Sequence, residues 1–199
     1  MSHDPLTVQN LFIGLVPGPR VQAALQRHRA LWRWTGRELL PDHRLLHLKL
    51  FALPGLPAQV VPTLRRALRK VPLQPIELVL RHTAILAGDG STLATDQAVI
   101  LADRNQALET LRCDIGAVLA DVGYEVPQLP APHVALALDA SGARPPLAVH
   151  PIHWRAGECA LIWARAVPDS PYAWHDVLES WSPAPTAVPA PPVQITLFG

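Results

Sequence analysis

Two histidines stand at matching places in two apolar, β-prone stretches. One is Leu45-Leu46-His47-Leu48-Lys49-Leu50-Phe51 and the other is Pro132-His133-Val134-Ala135-Leu136-Ala137-Leu138. An imidazole with its ordinary pKa of about 6.5 takes or gives a proton near neutral pH, so two of them facing one cleft form a general base and a general acid. Side chains two apart on a strand share a face, which pairs His47 with Lys49 and His133 with Ala135. Either histidine alone has a plainer explanation, a core imidazole satisfied by a backbone carbonyl. The repetition of the pattern points beyond it. His150 and His153 have the spacing of a metal pair, but three apart on a strand they would face opposite ways. No ligand cluster stands out, and the expected cofactor is none.

The elements that must hold these residues read as follows. Val8 to Val16 is a buried strand, broken by Pro17-Gly18-Pro19. Pro19 suits the first turn of a helix, whose stripe is Val21, Ala24, Leu25, His28, Leu31 and Trp32 and whose stop is Gly36. The first histidine strand lies within Leu39 to Leu53. Pro57 opens a second helix with Val60, Val61, Leu64 and Leu68 on one face, ending at Val71-Pro72. Ile76 to Leu86 and Ala98 to Ala102 are strands, separated by a tight turn at Gly88-Asp89-Gly90-Ser91. Asp103 and Gln106 have capping-box spacing for a third helix with stripe Leu108, Leu111, Ile115, Val118, Leu119 and Val122. The second histidine strand, about Ala131 to Leu138, follows. Ile152–Trp154 and Cys159–Ala164 are strands, and Tyr172 to Trp181 is a strand or short helix. Strand, helix and histidine strand thus recur in both halves. This order fits a layered α+β domain better than a doubly wound sheet, since glycine-rich phosphate loops are absent.

A net charge of +1 provides no global field for nucleic acid. The arginines of the first two helices read as solvated faces. No apolar run could span a bilayer, and the first residues do not form a secretion signal. Cys113 and Cys159, far apart and without Cys-x-x-Cys spacing, point to buried thiols in the cytoplasm, with a disulfide still open. Residues 1–181 are expected to form one monomeric domain. Residues 182–193, Ser-Pro-Ala-Pro-Thr-Ala-Val-Pro-Ala-Pro-Pro-Val, read as a semi-extended linker, and 194–199 as a separate peptide.

The motifs resemble those of the two-histidine (2H) phosphoesterases, of the bacterial 2′-5′ RNA ligase/RNA 2′,3′-cyclic phosphodiesterase type. Members carry two His-x-Thr/Ser-x motifs, usually His-Leu-Thr-Leu and Pro-His-Val-Thr-Leu. This chain has His47-Leu48-Lys49-Leu50 and Pro132-His133-Val134-Ala135-Leu136. The resemblance covers residues 8–181, from Asn10–Leu15 as the opening strand to Trp181 in the closing segment. It implies two pseudo-symmetric lobes, each an antiparallel sheet with outer helices, and a groove between them. It also implies a metal-independent reaction on an RNA or cyclic-nucleotide phosphodiester, with His47 and His133 as acid and base. Lys49 and Ala135 stand where the family's hydroxyls hold phosphate. An ammonium can replace a hydroxyl there as a point charge, whereas a methyl offers nothing. Many members also have a basic residue two after the second motif's Leu, where this chain has Leu138.

Gln194-Ile195-Thr196-Leu197-Phe198 resembles the peptide by which bacterial proteins dock on the DNA polymerase sliding clamp, of the form Gln-Leu-x-Leu-Phe. Gln194 would supply amide hydrogen bonds, and Leu197 and Phe198 an apolar anchor, at the end of a flexible tether. A last strand paired with the domain's own sheet edge is the alternative. Three readings stand together: an active but divergent phosphoesterase, a degenerate nucleotide- or RNA-binding module, and a clamp-associated DNA-maintenance factor compatible with either.

Overall fold

The computed structural model describes residues 7–8, 11–88, 95–125, 131–166 and 173–183. Along the chain come β1 (Thr7–Val8), β2 (Leu11–Leu15), α1 (Pro19–Arg29), β3 (Leu48–Leu53), β4 (Leu56–Pro57), α2 (Val61–Leu68), β5 (Ile76–Leu86) and β6 (Gln97–Ala102). Then follow α3 (Gln106–Asp121), β7 (His133–Ala137), β8 (Ile152–Ala156), β9 (Cys159–Ala166) and β10 (Ala173–Trp181). Apart from the small β1–β4 pair, the strands form one 8-stranded sheet in the order β10-β9-β2-β3-β7-β6-β5-β8. Its ladders are antiparallel.

The order is symmetric about the β3–β7 junction. β2-α1-β3 lies on one side and β6-α3-β7 on the other. The fold is the expected α+β arrangement of two antiparallel halves with helices, and the halves join into one continuous sheet. The junction is a short ladder, Leu48 opposite Val134 and Lys49 opposite His133.

Alternation on β2 separates the two faces of the sheet. Leu11, Ile13 and Leu15 join the main core with Leu25 of α1, Leu64 and Leu68 of α2 and Ile115 of α3. Phe12 belongs to a smaller cluster with Ala160 and Ile162, on the other face. A bulge at Leu50 sets the phase of β3, because Ile13 pairs with Phe51 while Gly14 pairs with Lys49. Lys49 and Ala52, three apart, therefore come to the Phe12 face. A second bulge, between Val177 and Glu179 on β10, puts those two residues on opposite faces. Glu179 accepts hydrogen bonds from Arg65 and Arg69 of α2, and His175 faces the other way, opposite Ala164.

Two helix expectations are corrected. α1 stops at Arg29 instead of running towards Gly36. Trp34 donates to the Arg29 carbonyl and stacks on Trp32 with ring centroids 5.2 Å apart. The Glu38 carboxylate collects the amides of Thr35, Gly36 and Arg37, so the backbone is satisfied in a turn instead of a helix. Gly36, at φ +86°, serves that turn, and Leu31 is left 52% exposed. At α3 the cap is Asn105, whose Oδ1 accepts from the Leu108 amide at 3.0 Å. Asp103 instead pairs with Arg81 and His82. Elsewhere β10 resolves the open choice as a strand. Cys159 is buried, but Cys113 is exposed and both are free thiols. No helix among the described residues is long and apolar enough to cross a membrane. Of the linker only Ser182 and Pro183 are described. Gln194, Leu197 and Phe198 lie outside the described residues, as do Asp89–Ser91.

Candidate active site

His47 sits one residue before β3, not in mid-strand. It follows a single 3-10 turn, His43–Leu45, whose start is fixed by Asp42 accepting from the Arg44 amide at 2.9 Å. His133 opens β7. Each imidazole is held in the same way. His47 Nδ1 lies 2.8 Å from the Leu45 carbonyl oxygen, and His133 Nδ1 lies 2.9 Å from that of Ala131, both two residues upstream. A carbonyl only accepts, so each Nδ1 carries the proton and each Nε2 keeps its lone pair.

Continuing the register of Lys49 opposite His133 places His47 opposite Ala135. The four motif positions thus form a square on one sheet face, with the histidines on its diagonal. Diagonal neighbours on an antiparallel ladder are roughly 7–8 Å apart at Cα, a separation that admits one phosphoryl group between two rings.

His47, Lys49, Ala135, Leu138 and Gln97 line one cavity of about 370 Å³, within the usual range for small-ligand sites. His133 is not among its lining residues. It is 7% exposed and lies beside Lys49 in the ladder. Its Nε2 is nevertheless not one of the sealed, partnerless atoms. Among the lining side chains described there is no carboxylate.

Two residues that sequence reasoning did not select complete the cluster. Phe12 of β2 meets His47 edge-on at 5.7 Å between centroids and His175 of β10 at 5.4 Å. His175 lies 5.6 Å from His47. The Lys49 ammonium stands 5.5 Å from the centre of the Phe12 ring. Burial pushes the His47 imidazole down to about 4, and His175 and Lys49 add to the shift against its Leu45 hydrogen bond. His133 and His175 are also lowered, first by burial and then by the Lys49 charge, and burial lowers Lys49 itself. Three imidazoles that burial keeps neutral at pH 7 thus stand around a lysine whose own burial disfavours its charged form.

Gly14, opposite Lys49 on β2, makes room for this arrangement. A Cβ there would lie 2.9 Å from the Leu48 carbonyl oxygen and 3.6 Å from the Cβ of His47. Gly14→Val is therefore expected to cost about 1–3 kcal/mol by overpacking, seen as a lower urea midpoint, and to reduce any activity that depends on His47.

The sequence matches no family model and no curated protein. Solved structures do match. TT0787 of Thermus thermophilus superposes with a TM-score of 0.70 at 22% identity, covering 87% of this chain and 97% of that one. A protein solved as a phosphoesterase gives 0.71 at 17%, with coverage of 88% and 98%. E. coli LigT in complex with NADP+ gives 0.72 at 16%, with the same coverage. This chain has the LigT fold.

Away from this cluster of the LigT-like fold, a second cavity of about 830 Å³ lies between α1 and β8. His150 and His153 both line it, so strand alternation does not separate them: His150 precedes β8. No group of three or more His, Cys, Asp or Glu among the described residues is placed to hold a metal ion.

Proposed function

We propose that this protein is a phosphoesterase acting on 2′,3′-cyclic phosphates or 2′-5′-linked ends of RNA or nucleotides, with His47 and His133 as general acid and base. The observation that carries this reading is the pair of imidazoles on one sheet face, each locked by its own carbonyl with Nε2 unprotonated. One Nε2 takes a proton from water as the water oxygen bonds to phosphorus. The P–O bond to the ribose oxygen breaks, and the other imidazole, which has first taken a proton from solvent onto its Nε2 and enters the step as the imidazolium, gives that proton to the departing oxygen. Water is consumed, and the two rings exchange protonation states and reset through solvent. Lys49 places positive charge where phosphate oxygens gather, while Ala135 adds no hydrogen bond. Nucleotide recognition is in keeping with E. coli LigT, solved with ATP and with 3′-AMP.

Purified protein assayed on 2′,3′-cyclic nucleotides and on 2′-5′- and 3′-5′-linked oligonucleotides tests this. Turnover that survives unchanged in both His47→Ala and His133→Ala excludes the site. The loss of both motif hydroxyls favours a second reading, a module that binds nucleotide without turning it over, and the same experiment separates the two.

The reading extends to the tail. We propose that residues 1–181 form the phosphoesterase-like domain, that 182–193 tether it, and that Gln194, Leu197 and Phe198 recruit it to the DNA sliding clamp. The support is the motif and its Pro-rich tether. Immobilised clamp should retain the full chain and release the Leu197→Ala/Phe198→Ala double variant. Equal retention removes the recruitment step and leaves the catalytic reading intact.

A further inference from the structure

We propose that His175 is the cavity's neutral hydrogen-bond donor: a third imidazole, of the opposite tautomer to His47 and His133, that holds a non-bridging phosphate oxygen where the motifs lack a hydroxyl. The inference deepens the phosphoesterase reading and rests on it for the identity of the anion. The placement of the proton rests on geometry alone.

His175 reaches the site from β10, separated from β3 by the two strands β2 and β9, with small Ala164 opposite it. Its ring lines the same cavity as His47 and Lys49 and is braced by the edge contact with Phe12. Nδ1 of His175 is sealed from solvent and has no hydrogen-bond partner. A proton on that nitrogen would be a buried donor with nothing to accept it, the rarer and costlier kind of orphan, while an unpaired acceptor is tolerated better. The neutral ring therefore carries its proton on Nε2. That nitrogen is not sealed, and a ring that lines the cavity while burying Nδ1 presents its Nε2 edge.

The result is a division of labour. His47 and His133 spend their Nδ1 protons on the Leu45 and Ala131 carbonyls and present lone pairs. His175 Nε2–H and the Lys49 ammonium present donors, and no carboxylate among the described lining residues competes for them. One acceptor and two donors line the cavity, with His133 diagonal to His47 on the same sheet face: the acceptors handle protons, and the donors hold phosphodiester oxygens that carry charge but do not leave. A hydroxyl at position 135 would have been a donor on the β7 side. The chain instead takes its second donor from β10.

The test uses the full chain. Two-bond ¹H–¹⁵N spectra of the imidazoles at neutral pH should show His175 protonated on Nε2, and His47 and His133 on Nδ1. Titration with inorganic phosphate should show His175→Phe, which keeps a ring but has no N–H, binding about tenfold more weakly, one lost hydrogen bond to an anion being worth roughly that factor. His175→Gln, which restores a donor, should recover most of the affinity. On a 2′,3′-cyclic nucleotide the same loss should appear in KM, with kcat falling far less. A proton on Nδ1 of His175, or phosphate affinity unchanged in His175→Phe, overturns the proposal. Should no phosphodiester be turned over, the tautomer and the phosphate titration still decide it, and only the catalytic reading is lost. Should His175→Phe fail to fold by circular dichroism, His175→Leu, which also lacks a donor, takes its place in the titration, and the wild-type spectrum decides the tautomer.

Discussion

Replacing His47 by Asn, or His133 by Asn, is expected to lower kcat/KM on a 2′,3′-cyclic nucleotide by ~10²–10⁴ each, the usual worth of one positioned acid or base. Asparagine keeps a polar group near the Nδ1 position and so preserves the tie to the Leu45 or Ala131 carbonyl. What it removes is Nε2, the nitrogen that would take or give the proton under the proposed reading. The double variant should fall little below the worse single variant, because proton uptake and proton delivery belong to one displacement and each is of little use without the other. Steady-state kinetics alongside urea unfolding separates this from damage to the fold: the kinetic loss should greatly exceed any shift in midpoint. Multiplicative losses in the double variant would mean two independent roles and would break the acid–base pair as an explanation. Loss in His47→Asn alone would assign the chemistry to the cavity-lining ring and leave His133, with its 7% exposure, a structural core histidine.

The strands were legible because their apolar residues outweigh everything local. Ile76–Leu86 runs as a strand over the stretch its pattern marks, and the α3 stripe Leu108, Leu111, Ile115 and Leu119 is buried as the 3.6-residue period requires. Period-2 alternation told which side chains share a face within each histidine stretch, His47 with Lys49 and His133 with Ala135, but the diagonal of the two histidines comes from the β3–β7 register, which no single strand's pattern contains. His175 was not legible. In a regular strand it would share a face with Glu179, and a carboxylate reaching helix α2 argues against a cavity residue four positions away. The bulge between Val177 and Glu179 separates the two faces, and nothing in Ala173–Trp181 marks a bulge. Phe12 was hidden differently. β2 is buried along its whole length, so its pattern does not say which alternate face looks into a site. The C-terminal end of α1 and the cap of α3 were decided by local side-chain hydrogen bonds, such as the one donated by Trp34 Nε1 and the one accepted by Asn105 Oδ1, energies too small for periodicity to reveal.

Acid should weaken this fold before its carboxylates titrate. His28, His47, His133 and His175 are held below the usual imidazole range, in each case first by burial. In the unfolded chain each returns to about 6.5. Below that pH the unfolded chain binds protons that the folded chain refuses, so stability is full above about 6.5 and declines as pH falls. The share due to His47 is lost progressively down to about 4. At 1.36 kcal/mol per pKa unit that share is on the order of 3 kcal/mol, a large part of the 5–15 kcal/mol typical of a domain. Carboxylates act lower. Asp42, held down by its hydrogen bonds from Arg44, and Glu179, held down by those from Arg69, contribute stability that disappears only at more acidic pH. Urea midpoints measured between about pH 7.5 and 5 therefore report the histidines. Lys49→Met should raise the midpoint at neutral pH, since it removes a buried amine, costly to charge, with no carboxylate beside it among the described lining residues. It should also flatten the decline, because a charge on Lys49 repels protons from His47, His133 and His175 and adds to the burial that holds them neutral. A wild-type midpoint that stays constant from pH 6.5 to 5 would mean the imidazoles protonate without penalty, and the site would then be an open, hydrated surface instead of a preorganised cavity.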